Sequence, residues 1–178
     1  MSVEESKEIK ILVNDFREYL KYVWRGINLP PPTPLQLDMA KTLMTGDKRL
    51  LLEAFRGIGK TYITGAYVTW RLLRNPNEKV VIVSQSGSHS EAIAQFIRRL
   101  IFDLPLLEHL TPDAEMRNSV KSFDVTGCEV TVQPSVKSLG ITSQLQGNRA
   151  SILISDDVEG LQNSATELMR AKLLATVA

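Results

Sequence analysis

The 178-residue sequence predicts an α/β fold, a mostly parallel central sheet with helices on both faces. Three observations carry this. The runs VVIVS (80–84) and SILIS (151–155) are short, apolar and β-branched, as strands buried in a parallel sheet are. Segments of helical periodicity alternate with them, the pattern of strand–helix–strand units. Finally, LLEAFRGIGKTY (51–62) runs from an apolar segment through paired glycines into a new helix.

Taken in order, residues 4–25 read as one amphipathic helix, with Ile9, Leu12, Phe16, Tyr19, Leu20, Val23 and Trp24 at helical spacing. Glu4, Glu5 and Glu8 at its start and Lys21 and Arg25 at its end suit the helix dipole. LPPPTP (29–34) is a rigid connector. Thr33 then caps a second helix, with Pro34 in first position and Gln36 three after the cap, a capping-box arrangement, and Gly46 ends the helix. Arg49–Ala54 reads as an apolar strand, Lys60 to about Arg74 as a helix, and Lys79–Ser84 as a buried strand. Ser88 is placed as the cap of the next helix, a turn falls near Thr126-Gly127, EVTVQ (129–133) alternates like a strand, and SILIS is a third buried strand. A last helix is expected over about 164–175. Residues 1–32 form a helical lead-in and linker, and 33–178 the core domain.

Composition narrows the function less than the motifs do. Lys plus Arg is 21 and Asp plus Glu is 20, a net charge of +1, so a polyanion must be held by a local patch or by several copies. Cys128 is the sole cysteine, which excludes an internal disulfide and a cysteine-based zinc site and fits a reducing compartment. The start, MSVEESKEIK, lacks the apolar core of a signal peptide. No run approaches the roughly 18 apolar residues of a membrane span.

The Gly-Lys-Thr at 59–61 ends a phosphate-binding loop, although Ala54 stands where the pattern usually opens with glycine. Strand, loop and helix follow in the required order. Backbone N–H groups over Ala54, Phe55, Arg56, Gly57, Ile58, Gly59, Lys60, Thr61 and Tyr62 would wrap phosphates at the positive end of the helix. Lys60 would add a charge on the outer phosphates, and the Thr61 hydroxyl would bind Mg²⁺. Such a loop needs a second strand ending in acids. In SILISDDVEG, Asp156 would hold the metal, and either Asp157 or Glu159 would polarise the attacking water. Arg56 within the loop would stabilise charge on the γ-phosphate, or else point to solvent. Arg149, in GITSQLQGNRA (140–150), would reach a nucleotide on a neighbouring copy, or simply belong to a connecting loop. Gln36 would read an adenine edge, or serve only its capping box. Trp24 and Tyr22 are placed in the core ahead of stacking on a base. His89 and His109 show no partner pattern. Arg98, Arg99, Arg117, Lys121 and Lys137 are candidates for DNA contact, with solvated surface charge the simpler reading.

Together AFRGIGKT, VVIVSQS, GITSQLQGNRA and ILISDDVE, in this order and spacing, resemble the large terminase subunits of tailed bacteriophages, especially the short-tailed kind. The resemblance implies a P-loop NTPase of the RecA-like, additional-strand type that hydrolyses ATP with Mg²⁺ to drive double-stranded DNA into a procapsid. It implies a portal, a small terminase subunit and a homo-oligomeric ring, a pentamer, as partners, with no membrane, in the host cytoplasm. By that resemblance Arg56, Gly57, Gly59, Lys60 and Thr61 match the phosphate loop, Arg56 as a charge-stabilising finger. Asp156 matches the metal carboxylate and Gln36 the adenine-reading glutamine. The Asp156-Asp157 pair departs from the family's usual Asp-Glu or Glu-Glu. The chain also carries none of the family's coupling motif, linker or nuclease domain, and so reads as an N-terminal ATPase portion. Two other readings share the residues: a helicase-type ATPase, and a nucleotide-gated assembly module without efficient hydrolysis. A structural protein that binds no nucleotide is the plainest alternative.

Overall fold

A computed structural model describes residues 3–143 and 147–158. The chain is α/β, with five α-helices and a four-stranded mixed sheet among the described residues. It forms two compact units, Met1–Asn75 with Ile97–Thr111, and Pro76–Phe96 with Pro112–Ala178.

The first unit is helical. The expected helix over 4–25 is two, α1 (Val3–Asn14) and α2 (Phe16–Gly26). Asp15 breaks it. Its backbone is extended (φ −126°, ψ 109°) and its carboxylate accepts the Arg17 N–H at 2.9 Å, capping α2. The Arg17 guanidinium bonded to the same carboxylate holds it below the usual carboxylate range. The carbonyls of Leu12 and Val13, near the end of α1, both accept from the Trp70 indole N–H at 3.1 Å, so the break leaves them satisfied. α3 (Pro34–Thr45) carries the expected capping box. α4 (Lys60–Arg74) spans its expected range. Its Ile63, Ala66, Val68, Trp70 and Leu72 are buried, as are Phe16, Tyr19, Leu20, Val23 and Trp24 of α2. The Phe16 ring lies 5.2 Å from that of Trp70 and 5.4 Å from that of Tyr67. Trp24 is thus a core residue, and the Tyr22 hydroxyl accepts the Leu106 N–H at 3.1 Å.

Tyr19 makes a testable case. Its phenol is fully buried and donates to Thr69 Oγ1 at 2.9 Å, and burial pushes its pKa well above the ordinary phenol value. A pKa raised on folding stabilises fully below the unfolded value of about 10, and that stabilisation disappears as pH rises beyond it. Phenolate absorbance from Tyr19 should therefore appear only together with loss of helical circular dichroism. In Tyr19→Phe the alkaline transition should move to higher pH. Ionisation of Tyr19 in a still-folded protein would contradict its burial.

Residues 49–55 have no regular secondary structure, so the strand expected over Arg49–Ala54 is absent. An extended apolar run becomes a strand only where a neighbour accepts its ladder, and Leu51 is 82% exposed.

The second unit holds the sheet, in the order β2-β3-β1-β4, from β1 (Val80–Ser84), β2 (Ser122–Phe123), β3 (Val136–Gly140) and β4 (Ile152–Ser155). β1 pairs in parallel with both β3 and β4, while β2 joins β3 antiparallel. The strand expected over 129–133 is not formed: Val130 and Val132 are almost wholly exposed. VKSLG takes the place instead, with Val136, Ser138 and Gly140 facing inward. β4 pairs only with β1 and leaves Leu153 67% exposed, so it is an edge of the described sheet and not a buried strand. α5 (Gly87–Asp103) begins one residue before Ser88, so that serine lies inside the helix instead of capping it. The Ser86 hydroxyl accepts the His89 N–H at 3.3 Å. The turn at Thr126-Gly127 is present, closed by Cys128 N–H to the Val125 carbonyl at 3.3 Å. The helix expected over 164–175 lies outside the described residues. No helix among the described residues is long and apolar enough to cross a membrane.

Candidate functional site

In the first unit, the loop before α4 has the dihedrals a phosphate cradle needs. Gly57 and Gly59 have φ of 89° and 85°, a region in which only glycine is at ease. Around Gly57 a Cβ would meet nothing within 4 Å, so there the dihedral alone asks for glycine. Between them, Ile58 is 6% exposed and anchors the loop by its side chain. Gly59 is the N-cap of α4 and has no side chain with which to cap it. A helix start of this kind, at the positive end of the helix dipole, suits an anion.

The Lys60 ammonium lies against the loop's own carbonyls, at 2.9 Å from that of Ala54 and 3.3 Å from that of Phe55. It therefore bonds the acceptors at the loop's entrance and leaves the amides alone. Thr61 is half-buried, while Arg56 is exposed at the turn. Phe55 is 64% exposed, and Tyr62 stands edge-on to Trp24 with ring centroids 6.3 Å apart. Both polar ends of the Gln36 side chain are engaged. Its Oε1 accepts the Thr33 N–H at 2.8 Å, and its Nε2 donates to the Ile58 carbonyl at 2.8 Å. The capping role is thus present, and a bond into the loop, which the sequence did not suggest, is present beside it.

In the second unit the acids sit at the carboxyl end of the edge strand β4, beside that of its parallel neighbour β1. The chain leaves β1 towards β3 on one side and returns to β4 on the other, so this end of β1 is a topological switch point, where open α/β sheets place ligands. Asp156 N–H donates to the Val83 carbonyl at 2.9 Å, and Gln85 N–H donates to the Asp157 carbonyl at 3.1 Å, so both backbones are tied to β1. Asp157 has a φ of 49°, uncommon outside glycine, and its side chain is exposed. Asp156 is half-buried. Val158 packs on Val81, Val83 and Ile141, which fixes the chain just beyond the pair. Glu159 lies outside the described residues, as does Gln144.

Sequence reasoning missed one device here. A Cβ on Gly140 would stand 2.8 Å from the Gly87 nitrogen, so glycine is what lets the end of β3 touch the head of α5. Its position in GITSQLQGNRA was visible, but the strand it ends was not expected. Arg149 is exposed in the same unit, next to Asn148, whose Oδ1 accepts from Lys137 Nζ at 2.6 Å. The other proposed DNA-contact residues have partners within the chain. Arg117 donates to the carbonyls of Thr131 and Val132, and Lys121 pairs with Glu91 at 3.7 Å. Arg99 pairs with Asp103 at 3.0 Å, and Arg98 lies over the Phe102 ring.

Among the described residues no group of three His, Cys, Asp or Glu side chains could enclose a metal. A magnesium ion needs no such cage, since it is commonly held by one or two carboxylates together with substrate phosphates and water.

The geometry defines a class first: an α/β chain with a double-glycine loop of left-handed dihedrals feeding an uncapped Lys-Thr helix. Comparison with known proteins makes it particular. No family model matches the chain. It is 49% identical over 167 residues to the large terminase subunit of Enterobacteria phage T3, an alignment that takes in 93% of this chain. At that identity over nearly its whole length, the chain is similar to a portion of a large terminase subunit. It spans 28% of the length of that relative.

Proposed function

We propose that this chain has the P-loop NTPase fold and hydrolyses ATP with Mg²⁺ as part of a viral DNA-packaging terminase. In this reading the energy released moves double-stranded DNA into a procapsid. The observation that carries it is the loop: two glycines with left-handed dihedrals, an anchored Ile58, and Lys60 at the head of an uncapped helix. The identity to a large terminase subunit supplies the biological setting. A portal, a small terminase subunit and neighbouring copies in a ring are the proposed partners, in the host cytoplasm.

Each residue then has a task. The loop amides and the first turn of α4 bind the phosphates. Lys60 exchanges the carbonyls of Ala54 and Phe55 for phosphate oxygens, which are stronger acceptors because they are charged. Thr61 and Asp156 are the proposed ligands of Mg²⁺, which would neutralise charge on the phosphates. Asp157 or Glu159 orients water and accepts its proton. Arg56, exposed within the loop, offsets charge that develops on the γ-phosphate, with Arg149 proposed to do so for a neighbouring copy.

The test is phosphate release by the intact protein. Mg²⁺-dependent release that rises with duplex DNA, without strand separation, is the expected result. Unwinding of the duplex would select a helicase instead. Absence of release under any condition, with tight ATP binding retained, would favour an assembly module gated by nucleotide.

A further inference from the structure

Within the first unit, the phosphate loop is tied to α3 by one side chain. Gln36 Nε2 donates to the Ile58 carbonyl at 2.8 Å. Its Oε1 accepts the Thr33 N–H at 2.8 Å, and its own N–H donates to Thr33 Oγ1 at 3.3 Å. The amide's orientation is unambiguous, because a backbone N–H can only donate and a carbonyl can only accept. The side chain is therefore held at both ends.

The bond to Ile58 has a geometric consequence. A peptide unit is planar, and in the trans form its N–H points opposite to its C=O. No cis peptide is present among the described residues. Holding the Ile58 carbonyl towards Gln36 thus turns the Gly59 N–H away from α3. Ile58 is also pinned by burial of its side chain, so this peptide plane is fixed from two directions. Gly59 leaves the space for it: a Cβ there would stand 3.3 Å from Gln36 Nε2.

We infer that Gln36 is a positioning residue for the phosphate loop: it sets the Ile58–Gly59 peptide, and so the direction in which Gly59 presents its amide to an anion. The inference rests on the proposed nucleotide site, yet it differs from reading a base. A base contact would matter only for ligands that carry adenine. A peptide held in place matters for every ligand with a polyphosphate.

Two variants separate these roles. Gln36→Met removes both side-chain bonds at similar volume, whereas Thr33→Ala weakens the cap and keeps the bond to Ile58. Binding of ATP, GTP and inorganic tripolyphosphate to the intact protein should fall about tenfold for all three in Gln36→Met, the loss of roughly one hydrogen bond's worth of organisation. In Thr33→Ala all three should stay near wild type. A loss confined to ATP would overturn the inference in favour of base reading, and unchanged binding in Gln36→Met would overturn it outright. Amide hydrogen exchange in the nucleotide-free protein gives an independent readout. Exchange over residues 56–61 should quicken in Gln36→Met and not in Thr33→Ala, and equal exchange in both would overturn the inference. If the wild type bound none of the three ligands, the nucleotide reading would fail, and the exchange result would still decide whether Gln36 holds the loop.

Discussion

Replacing Lys60 with alanine is expected to lower ATP turnover by about two to three orders of magnitude, the usual cost of removing one preorganised donor from a charge-stabilising site. The fold should barely notice. Lys60 is half-buried, and its ammonium bonds only the carbonyls of Ala54 and Phe55, at the entrance to the loop. Losing those contacts should cost on the order of 1 kcal/mol, because water replaces the donor at an open site. The packing of α4 lies elsewhere, on Ile63, Ala66, Trp70 and Leu72. Turnover and melting temperature measured together therefore separate the roles. Near-normal melting with lost turnover is the expected pair, and unchanged turnover would rule out the loop as the phosphate site.

The second large effect is expected at Asp156. Asp156→Asn keeps the backbone bond to the Val83 carbonyl and the shape of the side chain, and removes only the charge. If this carboxylate is a ligand of Mg²⁺, turnover should fall by about a hundredfold or more and the Mg²⁺ concentration for half-maximal rate should rise. The neighbouring acids should behave differently. One of Asp157→Asn and Glu159→Gln should abolish turnover while ATP and Mg²⁺ still bind, because orienting water is a task distinct from holding the metal. An Asp156→Asn protein with normal Mg²⁺ dependence would remove this acid from the site.

Much of the architecture was legible because local signals agreed with one another. Thr33, Pro34, Gln36 and Gly46 each favour the same helix, and α3 has those bounds. Gly59-Lys60-Thr61 predicts where α4 starts, and the helix starts at Lys60. VVIVS is buried throughout. Reading failed where one local signal was outweighed by partners distant in sequence. The periodicity of residues 4–25 runs straight through Asp15, and only the cap on Arg17 N–H and the indole of Trp70 show why two helices meet there. EVTVQ has the stronger strand propensity, yet β1 takes VKSLG as its neighbour, because strand choice depends on which face fits the sheet. Apolarity alone likewise suggested that SILIS is buried, whereas its place at an edge depends on strand order. At the candidate site, residue types were readable and their bonding was not. Gln36 could be assigned a cap from Thr33 three positions away, but its bond to Ile58 joins residues 22 apart in the chain.

The most direct test of the central claim is a structure of the protein with a non-hydrolysable ATP analogue and Mg²⁺. The β- and γ-phosphates should lie within hydrogen-bond distance of the backbone N–H groups over residues 57–61. Lys60 Nζ should have left the carbonyls of Ala54 and Phe55 for phosphate oxygen. A nucleotide bound elsewhere, with the Lys60 ammonium still on those two carbonyls, would contradict the account.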